Sequence, residues 1–598
     1  MIRFLGYKGV VAVDLALPRS TINMRLRPSM KRFDAEISTT SPVEIVQAFE
    51  RPNTAYLNRP LIMFLEDRKV PIDSFLQLQA KAIDRARKIS TSIDHFVRLS
   101  SSYHLGSNFY LLDLLRRIEK EYSPTIQNRI FQLPLFQGLC RVATNVILRE
   151  IRERARIPIE GSYRLVGVAD EGPEYIKKFG WNDVLCLREG EIFACIQTNH
   201  NESPVWLQGS ATVSRNPLTH PGDVQRVYAI GEPPDDQRCL FKHLRNVVVM
   251  PSQGKRPLAS CLSGGDLGGD EFSVIMDETL FPQTDVRPAD YLPTAPWTLE
   301  GSETVKPKHI TKFIVQYIES DVLGLLSDKL LLVADQSPDG VFDKKCIQLA
   351  EWCSKAINYP KQGIPVQLDF RSLPRPLTPD WYIQDVDPAS NTISNANYVC
   401  ESPRALGCLY REALRLEKLE QVSATAKVPN ELRGSGTSHH PITPLLKSKI
   451  EDFLGDAVHL SSNRSQSAHI RQLFEHYRVE LQYICSMTTL SSLSGDKLEE
   501  EEVVLGKILG AGLQKNIRED LQQRMKDNVA SLVRNVKRHL LVENSGPGQE
   551  EAHPDLFYGL ELAWSAWNFS VSKQGEFGSG SFGLIALTTF FHCLDRLG

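Results

Sequence analysis

The chain has 598 residues, of which 42% are apolar and 24% charged, with a formal net charge of −3. This length exceeds what one hydrophobic core supports and predicts about three to five domains. The composition is ordinary for a soluble globular protein. The slightly negative charge argues against a uniformly basic coat for nucleic acid but leaves room for a local basic channel.

The cysteines and the apolar runs bear on the cellular compartment. Eleven cysteines are scattered singly, without a Cys-x-x-Cys pair, which indicates reduced thiols rather than a disulfide framework. No apolar run reaches about 18 residues, and the N-terminus lacks the pattern of a signal peptide. We therefore expect a soluble intracellular protein without a zinc site or a membrane span, in either the nucleus or the cytoplasm.

The first quarter of the chain changes from strand to helix patterning. Residues 1–60 alternate short apolar runs with glycine and proline, which predicts β-structure. Residues 61–156 show helical spacing of apolar side chains. Two clusters of basic residues stand out: one near Pro28 (Arg25, Arg27, Lys31, Arg32) and one at the end of the helical stretch (Arg149, Arg152, Arg154, Arg156). The second cluster is interleaved with glutamates, so a solvated helix face is favoured over an RNA contact.

Residues 162–282 return to short apolar runs separated by turns. Many short strands at close spacing favour a barrel over a βαβ sheet. The predicted strands are Leu165–Ala169, Val184–Leu187, Ile192–Ile196, Ala211–Val213, Val224–Ile230, Asn246–Met250 and Phe272–Met276.

The remaining chain is predicted to be mainly helical. Helical spacing covers 308–358 and 406–419, and a Gly/Ser-rich stretch at 422–441 is typical of a linker. Residues 442–541 are again helical, with the acidic run Glu499–Glu502 expected to be a solvated helix start. Trp564 and Trp567 are expected in the core of the last segment rather than in a ligand site.

The stretch 261–277 (Cys-Leu-Ser-Gly-Gly-Asp-Leu-Gly-Gly-Asp-Glu-Phe-Ser-Val-Ile-Met-Asp) carries the strongest chemical signal. Its glycines bring Asp266 and Asp270 close together, and paired carboxylates at a strand end are suited to Mg²⁺ and phosphoryl or nucleotidyl transfer. Residues 268–272 also spell the signature of diguanylate cyclases. That hypothesis requires an upstream Asp-x-Asp-x-Phe-Lys strand, and residues 222–257 contain nothing like it.

Segments around this loop resemble, in order, the motifs of the cellular RNA-dependent RNA polymerases of RNA silencing. Residues 215–223 (Arg-Asn-Pro-Leu-Thr-His-Pro-Gly-Asp) resemble a motif that precedes the catalytic loop, and 261–270 resemble the loop itself, normally Cys-Ser-Gly-Ser-Asp-Leu-Asp-Gly-Asp. The other matching segments are 6–10, 26–31, 56–60, 165–171, 254–257, 323–324, 334–338 and 359–363. The resemblance covers residues 1 to about 410, and 411–598 carry no matching motif.

The resemblance implies an α+β fold with a double-psi β-barrel catalytic core, related to the two-barrel RNA polymerases, a helical connector and a C-terminal helical domain. The predicted domains are 1–60, a remnant of the first double-psi barrel; 61–160, a helical connector; 161–300, a second double-psi barrel with the metal loop; 301–421, a helical neck region; 422–441, a linker; and 442–598, a helical head-like domain. Family members carry a longer N-terminal region, so we expect this partial first barrel to need a partner or a larger parent chain.

The resemblance also implies the roles of individual residues. Asp266 and Asp270 would be catalytic ligands of Mg²⁺, and Lys8 would face the incoming triphosphate. Arg215 and Asn216 would lie near the nucleotide sugar, where a 2′-hydroxyl contact selects ribonucleotides, and Lys255 would bind substrate. The partners would be a single-stranded RNA template, ribonucleoside triphosphates and proteins of the silencing pathway, while the oligomeric state is left open.

Several of these residues have structural alternatives. Lys8 lies between glycines and suits a solvated hairpin, and residues 220–223 (His-Pro-Gly-Asp) suit a turn whatever the function. Asp170 and Glu171 end a strand and are candidates for plain exposure. Residues at two further junctions are expected to be structural: Asp277 at the end of a strand and Asp335 at the end of a helix.

The loop departs from the family pattern at Gly268, where the family has a third aspartate. Losing one carboxylate removes a ligand and a negative charge from the site. Glu271 is one residue past Asp270, and strand alternation would point it to the other face. The sequence therefore predicts a polymerase homologue that makes double-stranded RNA from single-stranded RNA, with activity reduced at this loop. The alternative is a catalytically inactive RNA-binding or scaffold protein of the silencing pathway.

Overall fold

The computed structural model describes residues 1–13, 15, 24–35, 41–181, 183–198, 203–290, 304–366, 368, 373, 374, 376–382, 399–425, 442–454, 464–488, 497–509, 515–541 and 556–597. Helices and strands are both abundant in these ranges. The strands are β1 (Ile2–Phe4), β2 (Tyr7–Gly9), β3 (Glu44–Ile45), β4 (Asn53–Leu57), β5 (Ile157–Ala169), β6 (Glu191–Ile196), β7 (Val205–Trp206), β8 (Gln208–Arg215), β9 (Val224–Ile230), β10 (Val247–Met250), β11 (Glu271–Ile275), β12 (Thr378–Pro379) and β13 (Val399–Cys400).

The helices fall mainly after β4 and after β11. They are α1 (Arg59–Asp67), α2 (Ile72–Arg87), α3 (Ile93–Ser102), α4 (Leu111–Glu121), α5 (Pro124–Ile130), α6 (Pro134–Arg154), α7 (Gly172–Phe179), α8 (Leu258–Cys261), α9 (Pro307–Glu319), α10 (Leu323–Gln336), α11 (Lys344–Gln362), α12 (Ala405–Thr425), α13 (Thr443–Leu454), α14 (Arg464–Met487), α15 (Glu500–Leu505), α16 (Lys515–Leu541), α17 (Leu556–Ser572) and α18 (Ser579–Leu597). Among them, no helix has the length and apolar character needed to cross a membrane.

The chain divides into two compact units, each built from separate stretches of sequence. Within the described ranges, the first unit comprises Met1–Ala80, Arg154–Tyr382 and Ala396–Glu412, and the second comprises Lys81–Glu153 and Ala413–Gly598. The strands belong to the first unit, whereas the second is helical. The six domains predicted from the sequence stay predictions.

The strands of residues 157–275 form a closed ring in the first unit. Strand β5 pairs with β10 and β11, β11 continues to β8, and β8 to β9. Strand β9 pairs with β6, and β6 returns to β10. Alternate side chains of these strands fill the interior, and the core includes Leu165, Ile192, Val213, Ala229, Val248 and Phe272. Closing the ring leaves these strands without an open edge between them.

Two smaller strand arrangements precede the ring. Strands β2, β1 and β3 form an antiparallel sheet in that order, and Arg3 stands opposite Lys8 in its register. Strand β4 instead pairs with β5 of the ring. After β4, the Asn58 side chain accepts a hydrogen bond from Leu61 N at 2.9 Å and so caps α1.

The second unit is a helical bundle with an aromatic core. Trp564 and Trp567 are each 6% exposed, which confirms their predicted place in a core. Phe474 packs against Phe582 with ring centroids 5.4 Å apart. A cavity of about 830 Å³ lies within this unit, lined among others by Ile118, Phe136 and Trp567.

Most predicted elements are confirmed, and one strand is wrong. Six of the seven strands predicted between 162 and 282 are present among the described residues. Residues 184–187 are not a strand, since Val184 makes an isolated bridge to Arg238. The helical stretches 61–156, 308–358 and 406–419 are confirmed. Helix α12 runs to Thr425, into the predicted linker, and residues 426–441 lie outside the described ranges.

Two expectations of solvated helix faces are wrong. Arg149 donates to the carbonyls of Ile508 and Leu509, both at 2.9 Å, and Arg152 donates to Glu417 at 2.5 Å. These arginines bind the chain itself. The acidic run does start α15, but Glu502 is 6% exposed and accepts hydrogen bonds from backbone amides.

Candidate active site

The loop between α8 and β11 lies at the end of the strand ring and turns sharply. Its backbone has positive φ at Ser263 (51°), Gly264 (68°), Leu267 (55°) and Gly269 (114°). Such conformations favour glycine, which explains Gly264 and Gly269, whereas Ser263 and Leu267 adopt them with a side chain. The loop therefore brings Asp266 and Asp270 to one place over a short stretch of chain.

Asp270 directly precedes β11 and is held in place by three hydrogen bonds. Its backbone carbonyl accepts a hydrogen bond from Gly167 N at 2.9 Å. Its Oδ1 accepts from Arg215 Nη2 at 2.9 Å, and its Oδ2 accepts from Asp266 N at 2.9 Å. The Arg215 and Asp270 side chains are 16% and 18% exposed. This ion pair is well shielded from solvent, and its carboxylate is fixed in orientation.

Asp266 is more exposed and has two different partners. Its Oδ1 accepts from Gly268 N at 3.0 Å, and its Oδ2 accepts from Arg32 Nη2 at 3.2 Å. Arg32 follows the 3-10 turn Pro28–Met30, and its amide donates to Gly6 O at 2.8 Å. The N-terminal sheet thus supplies a cation to the loop.

Gly268 occupies the position at which the resemblance described above implies a third aspartate. A Cβ atom built there would lie 2.8 Å from Asp266 Oδ1 and 3.7 Å from Arg32 Nη2. A side chain at 268 would therefore join the carboxylate cluster. Glu271 does not take this place, because its carboxylate lies 2.9 Å from Arg164 Nε.

Arg215 and Asn216 are consecutive in the sequence, and both lie beside the loop. Arg215 ends β8 and also donates from Nη1 to Ser263 O at 3.0 Å. Asn216 is exposed, and its Oδ1 accepts from Asn58 Nδ2 at 3.3 Å. The cap residue of α1 and the end of β8 therefore meet near the loop.

Lys8 and Lys255 are both exposed. Lys8 lies on β2, opposite Arg3, and Lys255 lies in the stretch between β10 and α8. Within the described contacts, neither ammonium group has a hydrogen bond or an ion pair with Asp266 or Asp270. The structure brings together Asp266, Asp270 and Arg215, with Asn216 adjacent, and it does not bring either lysine into contact with them.

Asp223 is a supporting residue, for which the sequence indicated a family motif or a turn but no individual role. The turn is confirmed as the 3-10 stretch Pro221–Asp223. Asp223 is fully buried, and its Oδ2 accepts from Thr219 N and His220 N at 3.0 and 2.9 Å. Its Oδ1 accepts from Ser263 N, in the loop between α8 and β11, at 3.1 Å. Burial lowers the pKa of His220 in this turn, which favours its neutral form.

Arg32 is the second residue whose position was not predicted from sequence. It was noticed only as part of a basic cluster, and nothing in its spacing pointed to a residue 234 positions away. The same sheet also reaches the loop at Gly269, where an added Cβ would lie 2.5 Å from Met1 Sδ. The sheet therefore meets the loop at two points.

The donor atoms at the loop suit a magnesium ion. Mg²⁺ prefers oxygen ligands and is commonly held by one or two carboxylates together with water and substrate phosphates. Asp266 and Asp270 supply two carboxylates that remain partly accessible to solvent. Throughout the described ranges, no group of three or more His, Cys, Asp or Glu side chains is arranged to hold a metal ion.

The remaining carboxylates singled out in the sequence have structural partners. Asp170 is 2% exposed and accepts from Gly172 N and Leu187 N, so plain exposure is wrong, and burial raises its pKa. Asp335 accepts from Trp381 Nε1 at 2.9 Å and Ser402 Oγ at 2.8 Å. Asp277 accepts from Thr279 N and caps a 3-10 turn. The structural expectations for Asp277 and Asp335 are confirmed.

Comparison with known proteins places this chain in a family. The family model described as RNA dependent RNA polymerase matches residues 1–413. Probable RNA-dependent RNA polymerase 1 of Oryza sativa subsp. japonica is 27% identical over 417 residues, covering 69% of this chain and 50% of the relative. RNA-dependent RNA polymerase 2 of Arabidopsis thaliana is 29% identical over 416 residues, covering 69% of this chain and 34% of the relative.

A solved structure is also similar. RNA dependent RNA polymerase QDE-1 from Thielavia terrestris aligns with 94% of this chain and 60% of its own length, with 15% sequence identity and a TM-score of 0.46. The chain spans half or less of the length of the rice and Arabidopsis relatives. Since the family model matches more than half of the residues, the chain belongs to the RNA-dependent RNA polymerase family.

Proposed function

We propose that this chain carries out template-directed nucleotidyl transfer, making double-stranded RNA from a single-stranded RNA template in RNA silencing. The observation that carries the proposal is the meeting of Asp266 and Asp270 on one loop, with Arg215 paired to Asp270, in a chain of this family. The closed ring of β5, β11, β8, β9, β6 and β10 supports a double-psi barrel as the catalytic core.

Asp266 and Asp270 would hold Mg²⁺, which when bound supplies charge neutralisation for the triphosphate and activation of the primer 3′-hydroxyl. Arg215 keeps the Asp270 carboxylate in place by binding Oδ1. Asp223 fixes the start of the loop through Ser263 N. These contacts hold the loop in one conformation before any substrate arrives, so less reorganisation is needed in the reaction.

The substrate contacts follow from the surroundings of the loop. Asn216 is exposed beside Arg215 and is available to the ribose of an incoming nucleotide. Lys8 and Lys255 are exposed ammonium groups of the same unit, and we propose that they bind the triphosphate and the RNA. Proteins of the silencing pathway are proposed partners.

A second candidate function is favoured by Gly268. With two carboxylates instead of three, the loop is a weaker metal site, because each lost carboxylate removes both a ligand and a negative charge. A chain that binds single-stranded RNA and silencing proteins without synthesis would tolerate this change.

An extension assay separates the two functions. The purified 598-residue chain would be given single-stranded RNA, the four ribonucleoside triphosphates and Mg²⁺. We expect slow incorporation by the native chain, loss of incorporation in Asp270→Asn, and a rise of about 10-fold or more in Gly268→Asp. Asp236→Asn serves as the matched control, because Asp236 is an exposed carboxylate outside the loop.

The outcomes discriminate clearly. Incorporation that survives Asp270→Asn would show that the loop is not the catalytic site. No incorporation by the native chain or by Gly268→Asp, with retained binding of single-stranded RNA, would favour the scaffold function.

A further inference from the structure

The carboxylate oxygens of the loop all have donors within the chain. Asp270 Oδ1 and Oδ2 accept from Arg215 and from Asp266 N, and Asp266 Oδ1 and Oδ2 accept from Gly268 N and from Arg32. Two of these four donors are guanidinium groups. Among the contacts described, each of the two aspartates of the loop is paired with one guanidinium group.

The two arginines differ in how firmly they are held. Arg215 is 16% exposed and also donates to Ser263 O at 3.0 Å, so it is part of the loop's own framework. Arg32 is 44% exposed, and its partner Asp266 is 37% exposed. An exposed ion pair is weak and is readily broken by a competing ion. Arg32 is thus the displaceable cation of the pair.

The position of Arg32 is nevertheless defined by its backbone. Its amide donates to Gly6 O at 2.8 Å, and Lys31 N donates to Pro28 O at 3.1 Å. Met1 of the same sheet packs near Gly269 on the same loop. The sheet therefore presents the guanidinium to Asp266 from a fixed base, and only the side chain needs to move when a divalent cation competes for Oδ2.

We propose that Arg32 is a built-in counter-ion that competes with divalent cations for Asp266 and so sets the metal affinity of the loop. The proposal rests on the proposed function, in which Asp266 is a metal ligand. A divalent ion that binds Asp266 must break the contact with Arg32 and must also tolerate a nearby positive charge. Both effects weaken metal binding. Arg32 is in this sense a positioning residue of the metal-free loop.

The test measures metal binding directly, without RNA or nucleotides. Mn²⁺ would be titrated into the full chain, and free Mn²⁺ would be followed by its electron paramagnetic resonance signal. We expect the Kd of Arg32→Gln to be lower than that of the native chain by about fivefold, since an exposed ion pair contributes up to about that factor. The Kd of Arg32→Lys for Mn²⁺ should stay close to that of the native chain.

The matched control is Arg3→Gln. Arg3 lies on β1 of the same sheet, is 57% exposed and pairs with Glu44, so its removal changes the net charge equally without touching the loop. An equal change of Kd in Arg3→Gln and Arg32→Gln would overturn the proposal, because the effect would then be one of overall charge. An unchanged Kd in a folded Arg32→Gln chain would also overturn it.

A double variant sharpens the result. In Gly268→Asp the new carboxylate lies next to Arg32, since the Cβ position is 3.7 Å from its Nη2. We expect the combined variant Gly268→Asp/Arg32→Gln to gain more Mn²⁺ affinity than the product of the single changes, and a merely multiplicative gain would count against a direct competition. A Kd that shifts as expected in a chain without RNA synthesis would leave this proposal standing and would remove the proposed function.

Discussion

At the scale of single residues, two neighbouring glycines of the loop between α8 and β11 have different reasons to be glycine. Gly269 has φ of +114°, a conformation that side chains with a Cβ rarely adopt. Gly268 has no such restriction, and its Cβ position faces a flexible carboxylate. The backbone conformation therefore requires glycine at 269. At 268 the backbone would accept a side chain, which would change the chemistry of the carboxylate cluster.

This difference predicts opposite tolerance to alanine. Gly269→Ala should lower the free energy of unfolding by about 1–3 kcal/mol, because it forces strained backbone and contacts Met1. Gly268→Ala should change it by less than about 0.5 kcal/mol. Urea denaturation of both variants checks the prediction, and equal stabilities would contradict the assigned loop conformation.

At the scale of elements, one arginine joins three helices of the first unit. Arg404, just before α12, lies 3.2 Å from Glu66 at the end of α1 and also binds Asp67. Its Nη1 donates to Ala334 O of α10 at 2.6 Å. Arg404 is 13% exposed and the two carboxylates are 14% exposed. Burial raises the pKa of Glu66, while the charge of Arg404 opposes that rise.

Replacing Arg404 with a neutral residue should therefore lower the free energy of unfolding by an amount that depends on pH. Arg404→Met leaves two mostly buried carboxylates without their cation, although backbone amides still donate to both, and should destabilise the chain by about 3 kcal/mol near neutral pH. The pKa of Glu66 in the folded variant rises further. When the pKa of a carboxyl is higher in the folded than in the unfolded protein, the free energy of unfolding falls as the pH rises between the two pKa values. The loss of stability in the variant should therefore shrink as the pH falls to about 5.

Urea unfolding of the variant and the native chain at about pH 7 and about pH 5 measures this deficit. Arg98→Gln is the control, because Arg98 is 78% exposed and pairs with Asp94 within one helix. A deficit that stays constant or grows on acidification would contradict the assigned burial of the carboxylates.

At the scale of the whole molecule, the family match ends at residue 413, next to the boundary between Glu412 of the first unit and Ala413 of the second, but residues 81–153 inside the match also belong to the second unit. The second unit is completed by contacts between 81–153 and the C-terminal helices. Arg117 donates to Asp595 at 2.7 Å, and its guanidinium lies 4.2 Å from the ring centroid of Phe591. Gly106 N donates to Leu505 O at 3.1 Å.

A chain ending after Thr425 should therefore fail to fold as a soluble monomer. It would expose the apolar faces of α4 and α6, which are buried in the complete unit, and such surfaces favour aggregation. Expression of residues 1–425 should give mainly insoluble protein, and co-expression with 426–598 should restore solubility. A monomeric 1–425 fragment with a cooperative melting transition would contradict this prediction.

Local patterns in the sequence were sufficient for most elements and for the family. The strands around Leu165, Val213 and Phe272 follow from their apolar runs, and the helices follow from their spacing, because both periods arise within a few residues. The short glycine-rich loop was sufficient to predict that Asp266 and Asp270 lie close together. Residues 184–187 show the limit of this reasoning, since an apolar run whose pairing is limited to one isolated bridge does not become a strand.

The sequence by itself determined most element types and the approach of Asp266 to Asp270 on one glycine-rich loop, because both depend on contiguous residues. The tertiary structure decided which distant side chains meet. Arg32 binds Asp266 across 234 residues, and Arg404 reaches Glu66 across 338. It also joined 81–153 to the C-terminal helices. The physical reason is that such contacts depend on the packing of whole elements, and local periodicity carries no information about a partner so far along the chain.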